Sequence, residues 1–505
     1  MTEKEKVDIL KQIDFGDIDA NADPNLENYF IDNNYWNRIV EKTTYFVVGK
    51  KGTGKSAIYQ YLYQLAIANG TLISNKDFGE FPFEKLMLLS DDSFSKPNQY
   101  QSIWHHVIIN ILIELIIRNE GADKNKYYKQ LKDYYDICIG DVVNLHKDTI
   151  TKVKKTGVSL VLSKIGISPS IAQENELVHQ LGSGDTNISL INSNLISLIE
   201  NYLITRDDNT PYLIQFDRLD DSYNQYADVE TYYNVISSLL KTVYNLNNKL
   251  RLKKINNVKI IVYLRSDIIN EICKRDSESA RWDDYTYKIN WSIINKDDWN
   301  NPLLLQMLNK RIQNSVGPNV DFYDIFDKDA VNLKLYNLIT KKLGRYKMDV
   351  FRYIVNPTFH RPRDIIQFCK KIQEETEDFE NCEKITSTII KNAEKKFAFW
   401  LVSKELANEI NPIYNVDDVY ELLRGMGSKP FKYGYFIECI KKSELCKKDN
   451  PEKIIEYLYD TGLIMNVNKD INGKLIYRSI IRNESKVNTR MMLKLHPGVW
   501  KGLNV

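Results

Sequence analysis

Eight consecutive residues combine glycines, a lysine and a hydroxyl in the spacing G-x4-G-K-[ST]. They are Gly49, Lys50, Lys51, Gly52, Thr53, Gly54, Lys55 and Ser56, and Ala57 follows them. Glycine lets consecutive backbone N–H groups turn toward one anion without a clash of Cβ atoms. Lys55 supplies a point charge to the outer phosphates of a nucleotide, and the Ser56 hydroxyl can bind Mg2+. The spacing therefore predicts a binding site for ATP or ADP with Mg2+.

A second set of candidate residues follows an apolar run at residues 212–216. Asp217 comes directly after the run and is best placed to hold Mg2+ through its waters. Asp220 and Asp221 come next, and either could polarise the attacking water. An acidic turn is common after a strand, but its combination with the phosphate loop favours a site that hydrolyses the nucleotide.

Arg265 ends another apolar run, at residues 258–264. From the end of a strand it could reach the γ-phosphate, because nucleotides bind at the carboxyl ends of parallel strands. The alternative is a structural ion pair with Asp267 or Asp217.

These candidates need elements that bring strand ends together. Short apolar runs alternate with segments of helical period, which favours an α/β fold with a parallel, doubly wound sheet. The predicted strands are residues 45–48, 84–90, 212–216 and 258–264, and the predicted helices between them are 56–66, 100–118, 189–203 and 232–246. We therefore expect a P-loop NTPase core.

Three domains are expected from the remaining patterns. The ATPase core covers residues 1–290 and contains a mostly helical insertion at about 121–182, to which no chemistry is assigned. A helical lid domain covers 291–410, with no good strand candidate between 299 and 397. Three helical patterns followed by a hairpin pattern, with its turn at 468–473, predict a winged-helix domain in 411–505.

Composition excludes several classes of protein. A chain of 505 residues is too long for one ordinary core, and its formal net charge of +2 gives no global field for nucleic acid or membrane. The six cysteines are scattered without CxxC spacing, which fits a reducing cytosol. The N-terminus lacks the pattern of a secretory signal, and no apolar stretch reaches membrane-spanning length. We therefore expect a cytoplasmic location and no membrane partner.

The chain resembles STAND-type ATPases, a class of ASCE P-loop proteins related to AAA+ and origin-recognition ATPases. More narrowly, it resembles bacterial P-loop ATPases found in anti-phage defence loci. The stretches that carry the resemblance are residues 14–16, 23–26, 29–30, 48–57, 216–221, 263–267, 361–364 and 493–498. Their combination and order are more specific than the phosphate loop alone.

The resemblance assigns roles at three further places. Residues 217–221 resemble the acidic strand end hhhDGhDE, with Arg218 in place of Gly and Asp221 in place of Glu. The second departure shortens the catalytic side chain by one methylene, which implies slow turnover. Pro362 would pack on adenine and Arg363 would sense phosphate; the alternative is an ordinary helix N-terminus. His496 would contact the β-phosphate of ADP and hold an off state; the alternative is a capping histidine.

The expected function is a nucleotide-controlled switch that assembles with itself as a homo-oligomer or acts on a separately encoded effector protein. An alternative is a DNA-remodelling or loading ATPase of the origin-recognition type. Residues 431–505 carry 14 Lys and Arg against 8 Asp and Glu, a net charge of +6 that would suit DNA. The basic residues in or near the predicted wing are Lys469, Lys474, Arg478 and Arg482. A third possibility is a scaffold that binds ATP without hydrolysing it.

Overall fold

The computed structural model describes residues 1–78, 98, 100–139, 186–219, 229–276, 279–294, 297–337, 342–379, 381–411, 413–469, 475–479, 481 and 486–505. These residues form two compact units. The α/β unit contains residues 32–51 and 55–289, and the helical unit contains residues 1–31, 52–54 and 290–505. Each unit has its own buried apolar core.

The strands are β1 (Phe46–Gly49), β2 (Leu72–Asp77), β3 (Tyr212–Asp217), β4 (Val258–Arg265), β5 (Thr286–Lys288), β6 (Val331–Asn337), β7 (Lys342–Met348), β8 (Ile464–Lys469), β9 (Leu475–Arg478) and β10 (Met492–Leu495). The helices of the first half are α1 (Glu3–Gln12), α2 (Leu26–Tyr29), α3 (Lys55–Ala68), α4 (Gln101–Arg118), α5 (Lys126–Tyr134), α6 (Thr186–Thr205), α7 (Val229–Leu252) and α8 (Ser266–Arg275). Those of the second half are α9 (Leu303–Val316), α10 (Phe322–Ile325), α11 (Val350–Val355), α12 (Pro362–Asp378), α13 (Ser387–Trp400), α14 (Ala407–Ile410), α15 (Val416–Met426), α16 (Tyr433–Lys441), α17 (Pro451–Asp460) and α18 (Pro497–Gly502). A π-helical turn (Leu401–Leu406) joins α13 to α14.

The α/β unit is built on a five-stranded sheet with the order β2-β3-β4-β1-β5, in which every neighbouring pair is parallel. All six residues of β3 are buried, as are the four of β1. Strands covered on both faces read as continuous apolar runs, which is why these two strands and β4 stand out in the sequence. The predicted parallel sheet is confirmed.

Strand β2, which lies at the edge of the described sheet, was not predicted from the sequence. Its polar residues Ser74, Asn75 and Lys76 interrupt the apolar run that would have indicated a strand. Residues 84–90, the strand predicted there, lie outside the described residues, as does the insertion beyond residue 139 up to 185. The described start of the insertion contains α5, and the mostly helical character of the whole insertion stays a prediction.

Helix α4 is buried around most of its circumference, and its interior position controls the charge of a histidine. His106 is 1% exposed, and its Nδ1 lies 2.8 Å from Oδ1 of Asn192 on α6. Burial lowers the pKa of His106 to about 4, and the hydrogen bond with Asn192 opposes this only in part. The imidazole is therefore neutral in the folded protein at neutral pH.

This burial predicts an acid-sensitive α/β unit. The pKa of His106 is depressed from 6.5 to about 4, so the unfolded chain takes up the proton first as the pH falls. The contribution of neutral His106 to the free energy of unfolding is fully present above pH 6.5 and is lost as the pH falls toward 4. We expect the free energy of unfolding to fall by about 2 kcal/mol from pH 8 to pH 5 through this residue. Urea unfolding of the wild type and His106→Gln at both pH values measures it; an identical pH dependence in the two proteins would contradict the prediction.

The helical unit includes the first 31 residues of the chain, which the sequence reading grouped with the ATPase core. Val7 and Leu10 of α1 lie in its apolar core. Strands β6 and β7 form an antiparallel pair, so the expectation of helices alone between residues 299 and 397 was wrong. The alternation of Val331, Leu333 and Leu335 with polar residues is the period-two signal that could have revealed β6.

The C-terminal part has its elements in the predicted order. Helices α15, α16 and α17 precede an antiparallel sheet with the order β10-β8-β9. Part of the predicted turn, residues 470–473, lies outside the described residues. The assignment of residues 411–505 as a winged-helix domain stays a prediction, as do the domain boundaries at 290/291 and 410/411. Among the described residues, no helix has both the length and the apolar character needed to cross a lipid bilayer.

Candidate nucleotide-binding site

The predicted phosphate loop connects β1, which ends at Gly49, to α3, which begins at Lys55. Gly52 and Gly54 have φ angles of +75° and +87°, in the left-handed region that favours glycine. Lys55 Nζ donates to the carbonyl oxygens of Gly49 and Lys50, each at 3.1 Å, so the ammonium group lies against the loop. The N-terminus of the 14-residue α3 adds a positive dipole end. This combination can bind a phosphate group.

The strand register brings the other candidates to the same edge of the sheet. Gly49 of β1 pairs with Arg265 of β4, and Asp77 of β2 pairs with Asp217 of β3. Asp217 is 2% exposed. Ser56 is the second residue of α3, next to the carboxyl end of β1, and its side chain is partly exposed. The sequence therefore placed the loop, the metal-binding candidates and Arg265 on one edge, while Asp220 and Asp221 lie outside the described residues.

Arg265 makes the ion pair that was its alternative reading. Its Nε donates to Asp267 Oδ1 at 3.0 Å and its Nη2 to Oδ2 at 2.6 Å. A bidentate pair holds a guanidinium group in a fixed plane. In this structure the pair orients Arg265 at the strand edge, and its contact with a γ-phosphate stays a prediction.

The conformation of Arg218 and its ion pair near Asp217 were not predicted from the sequence. Arg218 has φ +59°, a left-handed conformation that costs a non-glycine residue about 1 kcal/mol or more. This conformation explains why glycine stands at that place in the pattern hhhDGhDE. Arg218 Nη1 donates to Asp77 Oδ2 at 3.1 Å, and this ion pair is half-exposed. Asp77 was missed because its strand, β2, was missed.

A buried amide ties the strands behind Asp217 to one another. Gln215 Nε2 donates to the carbonyl oxygen of Tyr59 on α3 and to Asn75 Oδ1 on β2. The hydroxyl of Tyr263 on β4 donates to Gln215 Oε1 at 2.5 Å. Because Gln215 is fully buried, these bonds are held in a low-dielectric setting and fix β2, β3, β4 and α3 together. They hold the carboxyl end of β3, and with it Asp217, in place.

The tip of the phosphate loop, residues 52–54, belongs to the helical unit. Within that unit, the indole Nε1 of Trp291 donates to the carbonyl oxygen of Thr53 at 2.9 Å. The backbone N–H of Arg363 faces the carbonyl oxygen of Gly52 at 3.5 Å. A Cβ atom added at Gly52 would lie 3.2 Å from Cβ of Arg363. The loop tip is therefore packed directly against the segment that was predicted to sense the nucleotide.

That segment is the start of α12, where Pro362 occupies the first helical turn, a position that suits proline. Pro362 is buried, and its contact with adenine stays a prediction. The side chain of Arg363 binds Glu405, with Nη1 3.1 Å from Oε1 and 3.3 Å from Oε2. The neighbouring Arg361 is 2% exposed and binds Asp364 and Glu409 instead.

His496 caps α18 from within the helical unit. Its Nδ1 accepts the N–H of Gly498 at 3.2 Å. Its ring stacks on Phe359, with ring centroids 4.4 Å apart and an interplanar angle of 24°. The residue is 4% exposed. This is the capping role that was the alternative for His496, and its contact with ADP stays a prediction.

The donor set fits a nucleotide with Mg2+. The hydroxyl of Ser56 and the carboxylate of Asp217 are oxygen ligands of the kind that Mg2+ prefers, and the ammonium group of Lys55 lies against the loop of turned glycines as the cation for the phosphates. The sheet order, with β4 between the phosphate-loop strand and the acidic strand, together with this loop defines the fold of a P-loop NTPase core.

Comparisons with known proteins add three findings. Residues 302–405 match the family described as the FunZ-associated C-terminal helical domain. Among solved structures, the ORC2 protein of Aeropyrum pernix (ADPNP–ADP complexes) is 11% identical, over 93% of this chain and 90% of that chain, with a TM-score of 0.36. Cdc6p from Pyrobaculum aerophilum is also 11% identical, over 88% of this chain and 85% of that chain, with a TM-score of 0.28. No curated protein matches the sequence.

Proposed function

We propose that this chain is an ATP-binding and ATP-hydrolysing molecular switch of the STAND-like kind. It would control assembly with itself or with a separate effector in bacterial anti-phage defence. The observation that supports this best is the phosphate loop at the carboxyl end of β1, with Lys55 held against the loop and Asp217 on the same edge of the sheet. The switch function is implied by the resemblance of the sequence to STAND-type ATPases, whose members act as switches.

Each residue has a defined role in this proposal. Lys55 binds the outer phosphates, and Ser56 and Asp217 hold Mg2+, which neutralises charge that develops on the phosphates. Asp220 or Asp221 orients the attacking water. Arg265 and Arg363 respond to the presence of the γ-phosphate. Catalysis of this kind depends on positioning and electrostatics. The buried hydrogen bonds of Gln215 position Asp217, and the hydrogen bond of Trp291 to Thr53 positions the tip of the phosphate loop.

Light scattering with ATP, ADP and no nucleotide tests the switch. We expect the mass of the particle to differ between the ATP and ADP samples, because only ATP offers a γ-phosphate to the two arginines. Release of phosphate measured in the same samples tests hydrolysis and separates an ATPase from a scaffold that only binds ATP. One mass under all three conditions would contradict nucleotide-driven assembly, and wild-type samples without turnover would contradict the enzymatic part.

The charge of the C-terminal part favours a second candidate, a DNA-binding ATPase of the origin-recognition type. Residues 431–505 carry the net charge of +6 that was counted above, and Arg478 on β9 is exposed. Phosphate contacts of such residues would make binding of duplex DNA weaken steeply with salt. Binding that is ATP-dependent and steeply salt-dependent would favour this candidate over the first.

A further inference from the structure

Arg363 contacts the phosphate loop through its backbone and an acidic residue through its guanidinium group. Its backbone and Cβ atom lie against Gly52 of the phosphate loop, while its guanidinium group is turned to Glu405 on the π-helical turn 401–406. Glu405 is 5% exposed, and the side chain of Arg363 is 25% exposed. A buried carboxylate needs a cationic partner, so Glu405 draws Arg363 to itself.

The guanidinium of Arg363 is only partly used by these contacts. Besides Glu405, its Nη2 donates to the carbonyl oxygen of Ile18 at 3.4 Å, a long bond. Its Nε is buried and has no hydrogen-bond partner among the residues that the structure describes. A phosphate group can accept two parallel N–H bonds from one edge of a guanidinium group. Such a pair would satisfy Nε and replace the long bond of Nη2 with a shorter, charge-assisted one.

Glu405 has a second cation within reach. Nη1 of Arg361 lies 4.0 Å from Oε1 of Glu405, close enough to serve as its partner after a small movement. Arg361 is held in place by Asp364 and Glu409. The loss of Arg363 would therefore not leave Glu405 as an isolated buried charge, which is the arrangement that costs most.

We propose that Glu405 competes with the nucleotide for Arg363 and thereby sets the preference for ATP over ADP. This inference rests on the proposed function, since it needs a nucleotide at the phosphate loop. Without a γ-phosphate, Arg363 stays on Glu405. With ATP, the γ-phosphate takes Arg363, and Glu405 turns to Arg361. Glu405 is a positioning residue here, because it acts on the nucleotide only through Arg363.

Isothermal titration with a non-hydrolysable ATP analogue and with ADP tests this competition. We expect Glu405→Gln to tighten binding of the analogue about tenfold, because a competitor with full charge is lost, and to change ADP affinity little. Arg363→Ala should weaken binding of the analogue and abolish the effect of Glu405→Gln in the double variant. Glu374→Gln is the matched control: it removes one carboxylate from the helix that carries Arg363, where it pairs with Lys371 and touches neither arginine.

A second measurement compares the protein without nucleotide and with the ATP analogue at saturation. Urea unfolding of the wild type, the two single variants and the double variant gives the coupling between Arg363 and Glu405. We expect a coupling without nucleotide that disappears when the ATP analogue is saturating. If Glu405→Gln does not fold, Glu405→Asp, which withdraws the carboxylate by one methylene, takes its place.

The outcomes separate this inference from the function on which it rests. Unchanged ratios of analogue to ADP affinity in Glu405→Gln, or equal effects of Glu405→Gln and Glu374→Gln, would overturn the competition while the proposed ATPase stands. Absence of nucleotide binding by the wild type would overturn the proposed function itself.

Discussion

Lys55→Ala is expected to weaken the binding of ATP about a hundredfold or more, since hydrogen bonds to charged groups contribute about 1.5–3 kcal/mol each and Lys55 can make more than one to the outer phosphates. In the structure its Nζ already lies against the loop, 3.1 Å from the carbonyl oxygens of Gly49 and Lys50. The ammonium group therefore needs little rearrangement to meet a phosphate. Isothermal titration of the wild type and the variant with ATP and Mg2+ measures the loss.

The control is Lys129→Ala, which removes an exposed lysine from α5 in the same unit. It changes the net charge by the same amount, so any general effect of charge on binding appears in both variants. Circular dichroism and thermal unfolding establish that both variants fold. Equal ATP affinities of a folded Lys55→Ala and the wild type would show that residues 49–56 are not the phosphate-binding loop.

The central part of the fold could be predicted because its strands are buried on both faces. Apolar runs mark β1, β3 and β4 clearly, and each is followed by a residue that could do chemistry at the sheet edge. The edge strand β2 and the hairpin of β6 and β7 were missed, because a strand with a solvated face carries polar residues that break the run.

The residues of the candidate site could be predicted by type but not by partner. The phosphate loop has a local code, since turn, charge and helix N-terminus follow one another within eight residues. The pairing of Arg363 with Glu405 joins residues 42 positions apart, and that of Trp291 with the loop tip joins residues 238 apart. Such contacts depend on how helices and turns pack in three dimensions, for which a single sequence has no local signal.

One motif of the resemblance has a structural explanation in the first residues of the chain. Gly16 has φ +70° and lies against a buried polar cluster of Asp23, Tyr29 and Arg311 in the helical unit. The hydroxyl of Tyr29 donates to Asp23, and Arg311 Nη1 donates to the carbonyl oxygen of Phe15. The guanidinium carbon of Arg311 lies 4.1 Å from the centre of the Tyr29 ring. Residues 14–16, 23 and 29 therefore fasten the N-terminal segment to α9, which carries Arg311.

Gly16→Ala is expected to lower the free energy of unfolding of the helical unit by about 4 kcal/mol or more. A Cβ atom there would lie 2.2 Å from both Arg311 Nη1 and the hydroxyl of Tyr29, so the cluster must open. Opening separates a buried Arg311 from Asp23, and breaking a buried ion pair costs about 3–5 kcal/mol. The positive φ adds backbone strain of about 1–3 kcal/mol for a residue other than glycine.

Gly427→Ala is the matched control for this substitution in urea unfolding. Gly427 also has a positive φ, +65°, in the same unit, but a Cβ atom there would meet nothing within 4 Å. Its substitution adds backbone strain alone, about 1–3 kcal/mol. In an Arg311→Ala background the cluster is already broken, so Gly16→Ala should then cost only about as much as Gly427→Ala. Equal losses for Gly16→Ala and Gly427→Ala in the wild-type background would mean that the cluster does not hold the N-terminal segment, and that Gly16 serves only its own backbone turn.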